Sequence, residues 1–552
     1  MMAKTRLLSF ILAIIMIFSV CSFTGCQLIN PEKPDDGQTP GGDEEGGEQI
    51  PLVPMVDPTN DNYRTFYQIF VGSFSDSNND GIGDLRGIIN RMDYLNDGDI
   101  NSGDDLGVQG LWLSPIFSSP TYHKYDAKDY YQVDWRFGSE KTLKELINLC
   151  HERNVSIILD LAINHTSKQH EWFVKFEKAR QTGDTENEYY DFYSCATSAE
   201  QKNGVMYGKI AGVDCYYECN FSGDMPELNF DNPAVRQATL DIAKYYLDLG
   251  VDGFRFDAIK YIYYGDTAKS VEFWNWYMTE LTAYKPDIYC VGECWSGETE
   301  ILKYYPALNC FNFAMSQAEG FAANAAKGGK IANFLSYVET YQDKVQAANS
   351  NGMPISFLSN HDMDRIAGTF ILESNAKIAA SLYLLSPGSP FIYYGEEIGI
   401  RGSRGSANTD ANRRLAMLWG DEDLIKNPVG STYPADKQIK STVASQLQDD
   451  NSILTHYQKL ISIRTRYPAI ARGDYNAVTT THRNVGGFYV EYQGEILGIF
   501  HNTSAEDVTV DLSTCSSLDG HSFSQICEVV GSEAKLEGSV LTIPARTSII
   551  LK

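Results

Sequence analysis

Between residues 63 and about 400 the chain alternates short runs of β-branched and aromatic residues with longer amphipathic stretches, the pattern of repeated strand and helix units. Eight such runs occur, at residues 66–74, 108–113, 155–163, 251–257, 288–293, 310–314, 355–359 and 391–394. Eight parallel strands with helices between them predict an α/β fold, a closed (β/α)8 TIM barrel, whose chemistry gathers at the C-terminal ends of the strands. The rhythm breaks once. Residues 166–230 form a long stretch containing Tyr, Gly and Cys ahead of a helical pattern at 233–249, which predicts a small domain inserted after the third strand. Beyond Tyr467 the pattern shortens to alternating runs at 486–492, 496–500 and 539–543, which predicts a C-terminal antiparallel β-sandwich. The expected layout is a barrel over 57–165 and 231–470, an insertion over 166–230 and a sandwich over 471–552.

At the N-terminus, Lys4 and Arg6 precede an apolar run at 7–20 that is too short to span a bilayer comfortably, so residues 1–25 read as a signal peptide. It ends in Phe23-Thr24-Gly25-Cys26, which resembles the bacterial lipobox, with Phe23 where leucine is usual. That resemblance implies a lipid on Cys26 and a protein held at the outer cell surface; ordinary signal-peptidase cleavage near the same point is the alternative. Residues 26–56 then read as a flexible acidic linker rich in Pro and Gly, too poor in apolar side chains to offset the entropy of ordering. A net charge of -27 excludes nucleic acid and an anionic membrane surface as partners and favours a neutral substrate, so membrane contact is expected through the lipid alone. A monomer is expected.

Of eleven cysteines, Cys21 leaves with the signal and Cys26 carries the lipid, so an odd nine remain. Cys195, Cys215 and Cys219 are close enough for a local bridge, as are Cys515 and Cys527, but spacing does not fix the connectivity. Cys290 and Cys294 frame Glu293 with no second ligand pair nearby, and read as packing residues and not as metal ligands.

Carboxylates stand at the ends of three predicted strands: Asp257 closes Gly250-Val251-Asp252-Gly253-Phe254-Arg255-Phe256-Asp257, Glu293 lies in Val291-Gly292-Glu293-Cys294-Trp295, and Asp362 in Ser359-Asn360-His361-Asp362. Singly they carry little weight, since such residues often cap the next helix. Together with Leu159-Asp160-Leu161-Ala162-Ile163-Asn164-His165 they resemble, in order, the four signature segments of the α-amylase family, family 13 of the glycoside hydrolases. Gly110-Leu111-Trp112-Leu113-Ser114-Pro115 and Met225-Pro226-Glu227-Leu228-Asn229 are similar to two further segments, and the resemblance runs from residue 63 to Trp419.

The resemblance implies a retaining α-glucanase acting on the α-1,4 bonds of starch, amylose and maltooligosaccharides, chemistry that needs two carboxyl groups about 5 to 5.5 Å apart. Asp257 takes the place of the nucleophile, with Arg255 two residues earlier on the same strand face, and Glu293 that of the general acid/base. Asp362 is the third family carboxylate, on the sugar 2- and 3-hydroxyls, and His165 and His361 bind hydroxyls in the same subsite. Tyr122-His123-Lys124-Tyr125-Asp126 resembles the family's His-Gly-Tyr-Asp stretch, in which the tyrosine, here Tyr125, stacks on the cleaved glucose; Lys124 replaces the usual glycine. Asp126 and Arg365 are expected to pair beside that glucose, a feature of endo- and exo-acting relatives alike. Lys260 is expected on the leaving-group side and Ala258 leaves room there, while the insertion walls the donor side, with Trp172 as a candidate stacking residue and core packing its alternative. Met225-Pro226-Glu227-Leu228-Asn229 resembles the subfamily between oligo-1,6-glucosidases and neopullulanases, which contains lipid-anchored α-amylases. A neopullulanase-like or oligo-1,6-glucosidase-like enzyme or a transglycosylase is therefore the alternative. A glucan-binding protein that had lost catalysis should lack a carboxylate, and all three are present.

Residues 76–84, Asp-Ser-Asn-Asn-Asp-Gly-Ile-Gly-Asp, place oxygen ligands at alternate positions with a glycine at the tight turn. Gly87 stands where an EF-hand needs its bidentate glutamate, which excludes that motif. The same loop follows the first strand in many relatives of the family, and the resemblance implies a Ca2+ ion held by Asp76, Asn78, Asp80, the Ile82 carbonyl and Asp84. The family's second, interdomain calcium site uses a histidine where this chain has Tyr261, so that site is not expected.

Overall fold

A computed structural model describes residues 62–552 apart from positions 101, 371 and 519. The signal segment, Cys26 and the acidic linker lie outside the described residues. Strands β1 (Phe66–Ile69), β2 (Gly110–Leu113), β3 (Ser156–Leu161), β4 (Gly253–Phe256), β5 (Tyr289–Gly292), β6 (Asn309–Cys310) and β7 (Phe391–Tyr393) pair in parallel in the order β6-β5-β4-β3-β2-β1-β7. They are buried on both faces, which is why they read as nearly continuous apolar runs. The ring closes between β6 and β7 through residues 355–357, which form only two isolated parallel bridges, Phe311 to Ile355 and Phe357 to Phe391. The chain is thus a (β/α)8 barrel in which the run expected at 355–359 is reduced to bridges. The bridges start at the first residue of that run and stop at Phe357, so it is the end of the run that goes unpaired.

The strands are shorter than the runs that encode them. After Ile69 the chain turns into a 3-10 helix at Val71–Ser73, and β4 and β5 stop one residue before Asp257 and Glu293. The leftover residues form the rim of the barrel. Gly253 shows how closely β4 and β5 approach: a Cβ there would lie 1.7 Å from the Tyr289 carbonyl oxygen. Helices α1 (Glu140–Glu152), α2 (Pro233–Asp248) and α3 (Thr267–Tyr284) follow β2, β3 and β4, and are capped by Ser139, Asn232 and Asp266, whose side chains accept the first free amides.

Between β3 and α2 lie a helix, Glu171–Thr182, and a three-stranded antiparallel sheet of Cys195–Ala196, Tyr216–Glu218 and Tyr207–Lys209. The Leu228 amide donates to the Asn164 carbonyl at 3.0 Å, tying this segment to the end of β3. All nine cysteines among the described residues are free thiols, and Cys290 and Cys294 are buried.

The C-terminal part has two antiparallel sheets. The larger contains β8 (Asp474–Thr479), β9 (Val485–Tyr492), β10 (Glu495–Asn502), β12 (Ile526–Val530) and β15 (Ser548–Leu551); the smaller contains β11 (Val508–Asp511), β13 (Lys535–Glu537) and β14 (Val540–Ile543). One face of the larger sheet packs on α4 (Ile331–Ala348), with Phe334 and Phe488 6.3 Å apart at their ring centres. Its other face shares a second core with the smaller sheet through Phe500, Ile549, Val510, Leu541 and Ile543. Gln342 on α4 latches the two parts, donating to the Gly473 carbonyl at 2.9 Å and accepting from the Tyr475 amide at 3.0 Å.

Candidate active site

Strand register sets the site. Asp160 pairs with Arg255 across β3 and β4, and Arg255 with Val291 across β4 and β5. One face of a strand recurs every second residue, so Asp257 stands one layer above Arg255, level with Glu293. Arg255 is wholly buried, and its Nη1 donates to Asp160 Oδ1 and to Asp257 Oδ1, each at 2.7 Å. Its Nη2 lies 3.0 Å from Glu293 Oε2 without aligning as a hydrogen bond. One cation therefore serves three carboxyl groups. Ala258 has a left-handed backbone, φ +48, and its amide donates to Glu293 Oε2 at 3.3 Å. Glu293 Oε1 is buried and has no partner among the described residues.

Burial raises the Asp257 and Glu293 carboxyls above their ordinary values and Arg255 pulls both back; Asp362 pushes both up, and Asp257 pushes up Glu293 while Glu293 lowers Asp257. Burial also pushes Asp160 up to about 7 against the pull of Arg255. Asp362 moves the other way. Burial opposes its charge, but His361 and Arg414 hold it well below the usual carboxylate range.

Asp362 is anchored from several sides. Arg414 Nη2 donates to its Oδ1 at 2.7 Å, and Arg413 Nη1 donates to its carbonyl at 2.7 Å. His361 Nε2 lies 3.0 Å from Asp362 Oδ2 and 2.6 Å from Tyr125 Oη, while Gln68 Nε2 approaches Nδ1 at 2.7 Å and leaves the ring proton on Nε2. Tyr125 stacks on His361 at 5.3 Å and donates to Asp160 Oδ2 at 2.8 Å, which joins the Asp362 cluster to the Arg255 cluster. His165 Nε2 is buried without a partner among the described residues, and burial keeps the ring neutral down to about 4.

These groups open on a cleft of about 910 Å³ lined by Tyr125, His165, Asp257, Ala258, Lys260, Glu293 and Asp362, all singled out in the sequence. Asp126 and Arg365 do not line it, and they do not pair. Asp126 instead accepts from Ser119 Oγ at 2.8 Å and from Thr121 Oγ1. Arg365 turns away, donating to the Arg413 and Tyr394 carbonyls at 2.9 and 2.7 Å and stacking over Tyr393 and Tyr394. Trp172 packs against His170 and Phe192 and is absent from the cleft wall. Lys124 keeps the left-handed conformation that a glycine would take freely, φ +68, and turns its side chain inward to Asp134 at 2.7 Å, with both side chains 2% exposed.

Sequence reasoning missed Arg414, which lines the cleft, donates to the His361 carbonyl at 3.0 Å and to Tyr122 Oη at 3.1 Å, and supplies the charge beside Asp362. The only signal was Arg413-Arg414 directly ahead of the apolar run 415–419. It also left the ring of Phe221 unplaced, although this ring reaches the cleft from the inserted segment.

Away from the cleft, the 76–84 loop turns the oxygens of Asp76, Asn78, Asp80 and Asp84 onto its own amides. Asp76 and Asp84 are buried and form no ion pair among the described residues. Asp76 Oδ1 accepts from the Asn78 and Asn79 amides at 3.0 and 2.8 Å, Asn78 Oδ1 from Asp80 at 2.9 Å, and Asp80 Oδ1 from Ile82 at 2.8 Å. Gly81 makes the turn with φ +90. No three His, Cys, Asp or Glu side chains form a preformed cluster among the described residues, so the donor set would include the Asn78 amide oxygen and the Ile82 carbonyl.

The barrel and its strand-end carboxyl cluster define a glycoside-processing enzyme. Residues 68–473 match the family described as the alpha amylase catalytic domain, and the chain belongs to that family, family 13 of the glycoside hydrolases. It is 36% identical over 454 residues to Alpha-amylase 3 of Dictyoglomus thermophilum, covering 81% of this chain and 86% of that one. It is 29% identical to the Oligo-1,6-glucosidase of Bacillus cereus, covering 81% and 91%. Among solved structures, Eubacterium rectale Amy13B superposes with a TM-score of 0.82 at 32% identity, over 89% of this chain and 96% of that one. The protein is accordingly an enzyme acting on α-glucans.

Replacing Arg255 by Met should lower kcat/KM on maltohexaose by about 10²- to 10³-fold, the range for loss of one charge-stabilising donor. Because Arg255 lowers the Asp257 carboxyl, its loss should also move the acid limb of the pH profile to higher pH. Arg255→Lys keeps the charge and should hold the limb near its original position. An acid limb that stays fixed or moves down in Arg255→Met would contradict this.

Proposed function

We propose that the protein is an α-amylase-type retaining hydrolase cleaving internal α-1,4 bonds of starch, amylose and maltooligosaccharides. The observation that carries the reading is the unequal hold of one guanidinium on two carboxyls: Asp257 receives an aligned 2.7 Å hydrogen bond, whereas Glu293 keeps a buried, unpartnered Oε1. Of two coupled groups sharing a proton, the better hydrogen-bonded one carries the negative charge. Asp257 is then the nucleophile and Glu293 the acid.

In the first step Asp257 attacks the anomeric carbon while Glu293 gives its proton to the departing oxygen, leaving a glycosyl ester on Asp257. In the second, Glu293 takes a proton from water, the water oxygen bonds to the anomeric carbon, and the ester bond breaks to restore Asp257. Asp362, held by Arg414 and His361, accepts from sugar hydroxyls beside the reacting carbon, and the free Nε2 of His165 takes another.

Two features support internal α-1,4 cleavage. The cleft lining includes Asp410, tied through Arg413 to Asp362, and Lys260 and Trp295, tied to each other two residues beyond Glu293. Ala258 presents only a methyl group where a branched side chain would crowd an α-1,4-linked sugar. Such a contact biases the choice by about 1 to 3 kcal/mol, or roughly 10- to 200-fold. The test is kcat/KM on maltohexaose against isomaltose, with proton NMR of the first product. Preferred cleavage of maltohexaose with release of the α-anomer is expected; faster cleavage of isomaltose would favour an oligo-1,6-glucosidase, and an initial β-anomer would sink the retaining route.

A calcium ion would be held by Asp76, Asn78, Asp80, the Ile82 carbonyl and Asp84, and would brace the segment after β1 without touching the carboxyl cluster. Ligands that bind only the folded state stabilise it by about 2.7 kcal/mol at 100 times Kd. Removal of metal by a chelator should lower Tm, and Asp80→Ala should abolish the difference between metal-loaded and metal-free protein. An identical melt in both states, with metal content checked by elemental analysis, would count against the site.

A further inference from the structure

Among the described residues, the inserted segment reaches the cleft through one loop, residues 220–227, which supplies Phe221 and Met225 to its lining. A single side chain joins the two ends of that loop. Glu227, 3% exposed, accepts from the Asn220 amide through Oε1 at 2.9 Å and from Asn220 Nδ2 through Oε2 at 3.0 Å. The Asn220 side chain is fixed in turn, because its Oδ1 accepts from the Met206 amide at 3.1 Å. The Glu227 main chain is anchored as well: its amide donates to the Glu218 carbonyl at 2.9 Å, its carbonyl accepts from the Ser194 amide at 3.0 Å, and it bridges to His165 just beyond β3. Between these fixed ends Phe221 stays 40% exposed, with its ring 5.1 Å from that of His165.

The chemistry at Asp257 and Glu293 gives this buried carboxyl group no part, and Glu227 itself does not line the cleft. Burial pushes it up to about 7, aided by Glu218 and opposed by hydrogen bonds from Asn220 and Asn164. Such a group is costly to bury unless donors take up its oxygens. Asn220 offers two donors side by side, a main-chain N–H and a side-chain NH2, and a carboxylate offers the two matching acceptors. An amide of the same shape has one acceptor and one donor, so it would set NH2 against N–H. Turning the Asn220 amide over to meet it would break the contact with Met206. The grip therefore calls for a carboxylate.

Resting on the reading of the cleft as a glucan hydrolase site, we propose that Glu227 is a positioning residue, which clamps Asn220 so that Phe221 and Met225 are held against the bound glucan. A phenyl ring and a thioether offer apolar surface to a sugar face only if the loop that carries them keeps its shape. Neither side chain belongs to the carboxyl cluster. Loss of the clamp therefore weakens the hold on substrate and transition state alike, which raises KM and leaves kcat in place.

Kinetics of the full-length enzyme on maltohexaose test the clamp. Glu227→Gln should raise KM about tenfold, the scale of one lost hydrogen bond to a charged group, and keep kcat within about twofold. Asn220→Ala removes the other half of the clamp from a half-buried turn and should act the same way. In a Phe221→Ala background the clamp has lost the ring it positions, so Glu227→Gln should there raise KM by less than about threefold. Chymotrypsin, which cuts after aromatic residues, should cleave at Phe221 faster in Glu227→Gln and Asn220→Ala than in the unmodified protein, as read by mass spectrometry. Full multiplication of the Glu227 and Phe221 effects, an unchanged KM in both clamp variants, a kcat that falls as far as KM rises, or an equal rate of cleavage at Phe221 overturns the proposal. Failure of the unmodified enzyme to cut maltohexaose would instead overturn the hydrolase reading, and the chymotrypsin comparison then judges the clamp by itself.

Discussion

The buried guanidinium of Arg255 is the contact on which the rest of the site depends. A cation with no solvent exposure is costly to bury unless paired, and here the compensation comes from Asp160 and Asp257 at 2.7 Å and Glu293 at 3.0 Å. The same contacts that make the cation tolerable hold the two reactive carboxyls side by side. They are also unequal: Asp257 receives an aligned 2.7 Å hydrogen bond and Glu293 does not, the difference on which the proposed roles rest. Asp160, deepest in the barrel, extends the network to Trp112 and Tyr125, so the floor of the site is also part of the barrel's packing.

The Asp362 side of the cleft depends on a second arginine. Arg414 comes from the segment after β7, and by engaging Asp362, the His361 carbonyl and Tyr122 it fixes the carboxylate that stays ionised. Tyr122 and Tyr125 sit on the loop that contains Lys124, whose left-handed backbone is a strained conformation for a residue with a side chain, of order 1 kcal/mol or more. The buried ion pair with Asp134 fastens the loop in that shape. Lys124 thus keeps the turn that a glycine would take freely, with Tyr125 stacked on His361.

Much of this was legible in the sequence because parallel strands buried on both faces print their apolar runs directly, and because Asp257, Glu293 and Asp362 each follow such a run. What stayed hidden depends on distant pairing. The bridges at Ile355 and Phe357 form only where the barrel closes between β6 and β7, and no local pattern sets their length. Arg414 meets Asp362 across 52 residues, and the expected Asp126 and Arg365 pair failed because each found nearer partners, hydroxyls for one and carbonyls for the other. The Phe221 and Tyr261 contact joins the inserted segment to the turn after β4, which no local pattern announces.

The claim that Arg255 divides charge from proton can be observed directly. Neutron diffraction from a deuterated crystal of the ligand-free enzyme near neutral pH should show a deuteron on Glu293 Oε1 and none on either oxygen of Asp257. A deuteron on Asp257 with Glu293 bare would contradict the account and reverse the two roles.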